Sequence, residues 1–463
     1  MKTAPALLAV SLLASCTSGP DFQRPTVPLA TNWRAAGTTG QNPAQWWRAF
    51  GDEVLNTLQI KAAMGNLTIE VALARVAQAR ALLERTDADR RPVAQIEGSA
   101  ARVEQSLNSG FGLLSRILPD YPRTLNASRI GIASGWDIDF AGGTRRRQEI
   151  AEASVVEAEA GAAAARLAVA ADLSDAYWAL RGAQARKRQF EALLALEREE
   201  RSLLEKRVRI GDAAKQLLDA AASQLARLEA GVRPLDADIE VQQSRIIVLL
   251  GLSPSPAPAL LMAPAAIAEA PDPAIGLPAD ILSHRPDVVA AEYRLIAANA
   301  SIGVAMAEYF PKISLSAALG LESSRLTSLA TGGSITGFGG IGLKWRLFDF
   351  GRIDAEIRVA RGRVRENLAA YRAVVLKASE EVETCFGQLA AARGREEQIK
   401  RSRDRLNEFL VTSRRAYRLG GISWDALLDH ERQLAQVELA VIDARESVVR
   451  SITACHRALG EGV

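Results

Sequence analysis

Lys312-Ile313-Ser314-Leu315-Ser316-Ala317-Ala318-Leu319-Gly320-Leu321-Glu322 is the stretch on which the fold turns. Ile313, Leu315, Ala317, Leu319 and Leu321 fall on one side of an extended chain, and Lys312, Ser314, Ser316, Gly320 and Glu322 on the other. That period of two is the signature of a strand with one apolar face. A partner follows, with Ile341, Leu343, Trp345 and Leu347 opposed to Gly342, Lys344 and Arg346. About 210 residues earlier, Ile130, Ile132, Trp136, Ile138 and Phe140 alternate with Arg129, Gly131, Gly135, Asp137 and Asp139. Only Val93 to Arg102 is weak, with Ile96 its one strong apolar residue.

Such alternation fits a half-buried soluble sheet or a barrel wall facing lipid equally well. Each run is about ten residues, the length a tilted strand needs to cross a bilayer. Trp136 and Trp345 stand near matching strand ends, where an interfacial aromatic belt would place them. Closure adds a condition. Four strands cannot form a membrane barrel, and open edges cannot face lipid. Strands that span a membrane here must therefore be pooled by several chains. The connections Val103 to Asn126 and Ser323 to Gly337 are polar and read as exposed loops.

The strands sit in a unit that occurs twice: helix, strand, loop, strand, very long helix, tight turn, helix. No proline interrupts Arg123 to Arg233 or Lys312 to Val463. Arg209-Ile210-Gly211 followed by Leu217-Leu218-Asp219 echoes Arg418-Leu419-Gly420 followed by Leu427-Leu428-Asp429. Gly142 to Arg209 and Arg352 to Leu419 each predict about 100 Å of helix at 1.5 Å per residue. That is far beyond an ordinary globular helix. Ile353, Ile357, Ala360, Val364, Leu368, Tyr371, Val375, Ala378, Val382, Cys385 and Leu389 step by fours and threes. One break in the heptad near Ala360 to Tyr371 relaxes the supercoil locally. The fold expected is mainly α with four strands, internally duplicated. A signal occupies 1–15 and a lipidated N-terminal segment 16–65; the first repeat is 66–250, with its hairpin at about 93–140. A proline- and alanine-rich linker covers 251–280, and the second repeat 281–463, with its hairpin at about 312–349.

Lys2, the apolar run Ala6 to Leu13 and Leu13-Ala14-Ser15-Cys16 form a short secretory signal ending in a cysteine. The last four residues resemble the lipobox of bacterial lipoproteins, which implies a lipid on Cys16. Thr17 is not the aspartate that retains such proteins at the inner membrane, which favours the outer one. Cys385 and Cys455 lie in helical patterns amid small and aliphatic residues, as buried free thiols do. Formal net charge is +3, which gives no sign of nucleic acid. Beyond the signal no apolar run of about eighteen residues suggests a membrane helix.

His284-Arg285-Pro286-Asp287-Val288, Ala291-Glu292-Tyr293-Arg294-Leu295, Ala297 to Gly303 and Tyr309-Phe310-Pro311 resemble the outer-membrane factor (TolC-like) family of efflux lipoproteins. Trp46-Trp47-Arg48-Ala49-Phe50-Gly51-Asp52, Phe348-Asp349-Phe350-Gly351-Arg352 and Tyr417 to Arg432 match its other motifs. The resemblance implies a homotrimer with a twelve-stranded outer-membrane β-barrel continued by a periplasmic α-helical barrel. It also implies a periplasmic adaptor and an inner-membrane resistance–nodulation–division transporter as partners, and outer-membrane lipid around the strands. Adaptor docking is expected at the turns Gly211, Gly420 and Gly421. A periplasmic gate is expected near Arg414, Arg415, Tyr417, Arg418, Asp425 and Asp429. Thr412 to Arg418 holds no acid, a departure from the family's acidic ring. Arg414, Arg415 and Arg418 are candidates to pair with Asp212, Asp425 or Asp429 across the tips.

An enzyme finds little support. The three histidines, His284, His430 and His456, form no triad or metal spacing, and His284 reads as a helix-start residue. No catalytic, cofactor-binding or metal site is expected, and no cofactor beyond the lipid. A coiled-coil lipoprotein without a channel, and an outlet for type I protein secretion, remain as alternatives. The cargo is not written in the chain.

Overall fold

The computed structural model describes residues 17–28, 30–34, 44–118, 120–254, 259–263 and 265–460. The expected signal and Cys16 lie outside these residues. A 3-10 turn, Trp46–Phe50, leads into α1 (Glu53–Gly65) and α2 (Leu67–Ala88). Then come β1 (Val93–Glu104), α3 (Gly110–Ile117), β2 (Thr124–Ile138), α4 (Gly143–Arg209) and α5 (Lys215–Leu249). After the short helices α6 (Ala259–Met262) and α7 (Pro278–His284), the pattern recurs. Its second pass is α8 (Pro286–Ala307), β3 (Lys312–Ser323), β4 (Ile335–Lys344), α9 (Arg352–Arg418) and α10 (Trp424–Leu459). Both long helices, α4 and α9, have 67 residues.

One compact unit comprises Ala77–Glu157 and Glu292–Ala370 with the described part of Met1–Pro25. It holds a four-stranded antiparallel sheet of order β1-β2-β3-β4. β2 and β3 join the two copies, in a register from Ser128 opposite Ser323 to Ile138 opposite Ile313. β4 stops at Lys344, three residues short of the expected Leu347. Its partner β3 begins at Lys312, behind Pro311, which has no N–H to extend the ladder. Trp345 instead donates its Nε1–H to the Tyr309 carbonyl at 2.9 Å, and Trp136 likewise to Arg90 at 2.8 Å. The connection after β1 is more ordered than a plain loop. Ser109 Oγ accepts from the Gly112 N–H at 3.2 Å, which caps α3.

The strand-to-helix corners explain a repeated motif. Asp139 accepts from the backbone N–H of Thr144 and Arg145 at 3.0 and 2.8 Å, capping α4. Asp349 accepts from Gly351 and Ile353 at 3.0 and 2.8 Å, capping α9. Gly142 and Gly351 turn the chain with φ of 75° and 82°, a region open to glycine.

The second unit, Thr26–Val76, Ala158–Ala291 and Tyr371–Val463, holds the main core. Trp46, Tyr177, Trp178 and Leu180 are buried there with Val382, Cys385, Leu389, Ile452 and Cys455. Both cysteines are free thiols, as expected. Ile353, Ile357, Ala360, Tyr371, Val375 and Ala378 are buried along α9, whereas Val364 and Leu368, at the heptad break, are half-buried. Ala72 and Val76 of α2 pack on Ala162 of α4, where small residues allow close approach. The described residues of the 251–280 linker are anchored at intervals: Leu261, Ile267, Ala270 and Ile275 enter the core, and Arg181 and Arg393 donate to the Ala263 and Ala270 carbonyls.

Asp52 caps α1 through the Leu55 N–H at 2.9 Å and accepts from the Tyr177 hydroxyl at 2.7 Å. Arg285, almost fully buried, grips Asp287 (2.8 Å), Glu381 (2.6 Å) and the Ala458 carbonyl, so the His284 to Val288 motif ties the α7–α8 corner to α9 and α10. His284 differs from its expected place at a helix start. It ends α7, with Nδ1 donating to the Asp280 carbonyl at 2.7 Å. α8 has the length and mean hydropathy of a membrane span, contrary to the sequence expectation. It is half buried, and its Arg294 pairs with Glu157 at 2.6 Å.

Burial holds the His456 imidazole down at about 4. Its ring stacks on Trp46 at 4.7 Å. Above pH 6.5 the group is neutral in folded and unfolded chains. Between about 6.5 and 4 only the unfolded chain takes up the proton, so acid erodes stability by about 3 kcal/mol per chain. Glu200 works the other way over much of this range, so the slope is read from the difference in melting between the parent and His456→Leu, which should change in this sense from pH 7.5 to 4.

Candidate conduit wall and helix tips

The sheet is inverted relative to a soluble one. Ile132, Leu319 and Ile341, on its apolar side, are 55%, 67% and 76% exposed, and Ile96 is 77% exposed. Register places Ile96, Ile132 and Leu319 in one cross-strand row, with Ile313 beside Leu343 and Leu315 beside Ile341 in others. The opposite side is polar and shallow. Arg129 and Glu322 face each other across β2 and β3 at 2.8 Å. Next to them Gly131 opposes Gly320, where a Cβ on Gly131 would fall 2.7 Å from the Leu319 carbonyl. Phe338 breaks the alternation by standing on this polar side, and a Cβ on Gly340 would lie 2.8 Å from its ring. β1 and β4 are the outer strands, each with an open edge among the described residues.

Both helix tips end by one device. The Gly211 N–H donates to the Val208 carbonyl at 3.1 Å and the Asp212 N–H to Arg207 at 2.8 Å. At the second tip Gly420 donates to Tyr417 at 2.9 Å and Gly421 to Ala416 at 2.8 Å. This is the paired closure of a Schellman motif, and Gly211 and Gly420 supply its positive φ of 80° and 74°. A Cβ on Gly420 would meet nothing within 4 Å. Gly420→Ala should therefore cost about 1–2 kcal/mol from backbone strain alone. Faster hydrogen exchange confined to the last turn of α9 would show it.

The expected pairing across the tips is not what forms. Arg414 pairs with Glu431 at 3.0 Å, because the α9–α10 hairpin pivots at residues 422–423 and sets position 414 opposite 431. Asp212 lies 2.8 Å and Asp425 3.8 Å from Arg207. Asp429 lies 3.2 Å from Arg432. Tyr417 packs on Trp424, ring centroids 5.5 Å apart. Arg415 and Arg418 are exposed and hold no ion pair among the described residues.

Sequence reading passed over the strongest cluster. Arg432 of α10 donates to Glu197 through two nitrogens, each at 2.7 Å, and to Glu200. Glu197 and Glu200, one turn apart on α4, are 1% and 11% exposed. Burial pushes the Glu200 carboxyl up to about 7, only partly opposed by Arg432. Burial also acts to raise Glu197, but the hydrogen bonds from Arg432 take it below its ordinary value. The Glu197 bonds, first, and the charge of Glu200 hold Arg432 protonated. The available signal was the three-residue acid spacing and an arginine one turn beyond Asp429.

The outer membrane efflux protein family matches residues 60–251 and 277–461. Outer membrane protein OprJ of Pseudomonas aeruginosa is 28% identical over 99% of this chain and 95% of its own length. Cation efflux system protein CusC of Escherichia coli is 26% identical over 100% and 99%. The toluene efflux pump outer membrane protein TtgC of Pseudomonas putida is 29% identical over 97% and 93%. Among solved structures, the outer-membrane channel OprN superposes with a TM-score of 0.84 at 30% identity, over 96% of this chain and 99% of that one. Matched over both repeats and sharing the fold of a solved channel over nearly its full length, the chain belongs to the outer membrane efflux protein family.

Proposed function

We infer that the protein is the outer-membrane channel of an efflux pump, a passive gated conduit for small molecules across periplasm and outer membrane. The exposed apolar face of a four-stranded sheet with two open edges carries this reading. Water would not tolerate that face, and lipid would not tolerate those edges. Three copies joining β1 to β4 would close a twelve-stranded barrel, with apolar rows toward lipid and the Arg129–Glu322 side toward the lumen. A coiled-coil lipoprotein without a channel would leave the apolar face without purpose.

In this reading the homotrimer is anchored by a lipid on Cys16. It meets a periplasmic adaptor at the turns around Gly211, Gly420 and Gly421, and an inner-membrane resistance–nodulation–division transporter drives it. Tyr417, Asp425 and Asp429, with Arg414, Arg415 and Arg418, form the gate region, and the Arg432 cluster holds the two hairpins together there. Relatives named for cation and for toluene efflux are similar to this chain over nearly its whole length, which supports a choice of cargo made by the pump. No residue set for catalysis takes part. Purified full-length protein added to a planar lipid bilayer should give discrete conductance steps. A bilayer that stays silent at concentrations where the protein is fully incorporated would contradict the conduit.

A further inference from the structure

We propose that the helix tips make an anion-preferring mouth to the conduit, set by Arg415 and Arg418. The inference rests on the channel reading above and adds to it the charge class of what passes most easily.

The acids at the tips are nearly all occupied. Asp212 and Asp425 share Arg207, Asp429 sits on Arg432, and Glu431 sits on Arg414. Glu205 lies 3.9 Å from Arg209. The cations are not so matched. Arg415, Arg418, Lys206 and Lys215 hold no ion pair among the described residues, against Asp219 alone on the acidic side.

Counting residues 205–219 and 411–429 gives seven basic and five acidic side chains, a net +2 per chain. Three copies would bring +6 to one end.

Position explains why these two arginines stay free. Leu410 and Ser413 are buried, and Arg414 turns to Glu431 on α10. Arg415 lies two residues beyond Ser413, about 200° around the helix, and Arg418 shares its side at i+3. Arg415 thus lies on the side of α9 away from the partner helix and Arg418 is its last residue, both exposed guanidinium groups charged at every working pH. Unpaired like charges at the mouth of a passage with low-dielectric walls focus the field and concentrate counter-ions there. Paired acids contribute little to that field. Chloride and small carboxylates should therefore enter more readily than potassium or polyamines.

The test is reversal potential in a planar bilayer, with full-length protein and a potassium chloride gradient. The expected chloride-to-potassium permeability ratio is about 3 or more for the parent. It should fall to about 1 for Arg415→Ser/Arg418→Ser and below 1 for Arg415→Glu/Arg418→Glu. Both variants alter exposed side chains without partners, and equal melting temperatures would establish that they fold. Conductance steps with a parent ratio at or below one overturn the inference alone, as does a ratio that both variants leave unchanged. Absence of any step overturns the conduit reading and this inference with it.

Discussion

Arg432→Ala should destabilise the protein by about 3–5 kcal/mol per chain, a large loss for one side chain. The arginine bridges Glu197 and Glu200 of α4 from α10, and Glu197 is 1% exposed. Removing it leaves two carboxylates one turn apart, buried, with no counter-charge. They can respond only by taking up protons. The loss should therefore be greatest near pH 8 and shrink toward pH 5.5. The parent should show the start of this, because burial holds the Glu200 carboxyl up at about 7 and stability is then lost as pH rises from its ordinary range through 7.

Replacing all three residues by apolar ones of similar size should recover most of the stability, since a buried ion cluster is seldom better than good packing. Thermal or denaturant melting of the detergent-solubilised protein reads all of these. A loss below about 1 kcal/mol, or one independent of pH, would show that the cluster is solvated and does not join the hairpins.

Trp46→Ala should cost about 3–5 kcal/mol, from the largest fully buried side chain of the N-terminal segment. The turn Trp46–Phe50 is too short to be helical by itself. It holds its place because Trp46 lies edge-on to Trp47 and Phe50 and stacked on His456 of α10. Trp46 Nε1 has no hydrogen-bond partner among the described residues, so the loss is one of packing. Trp46→Phe should retain more than half of the stability. A second consequence follows from the stack. Without the indole, His456 meets water and its pKa returns toward 6.5, which removes the acid-side slope that burial imposes. A Trp46→Ala variant that melts like the parent, with the slope intact, would mean that the motif is not docked as described.

Much of this architecture was legible because both halves carry the same periodic signals. Alternation at Lys312 to Glu322 marks a strand wherever it lies, and 67 residues without proline ending in glycine mark a helix and its turn. Boundaries were less legible. β4 ends where its partner runs out at Pro311, and that depends on register between segments distant in sequence. The tip was legible in its turns and not in its charges. Gly211 and Gly420 are local requirements of backbone conformation, readable from one residue. Which carboxylate meets which arginine depends on how α4 lies against α10, so the acid pair and Arg432 were visible separately, but their pairing across more than 230 residues was not.

The same limit applies to Arg285. Its motif was recognisable, but its grip on Glu381 and the Ala458 carbonyl joins three helices that only folding brings together.

The central claim is that strands from several chains close one barrel, and the mass of the detergent-extracted, folded complex tests it most directly. The heat-denatured chain serves as reference. A complex of three chains is the expected result, because twelve strands leave no edge open to lipid. A folded monomer would leave β1 and β4 unpaired, and would contradict both the barrel and the conduit it implies.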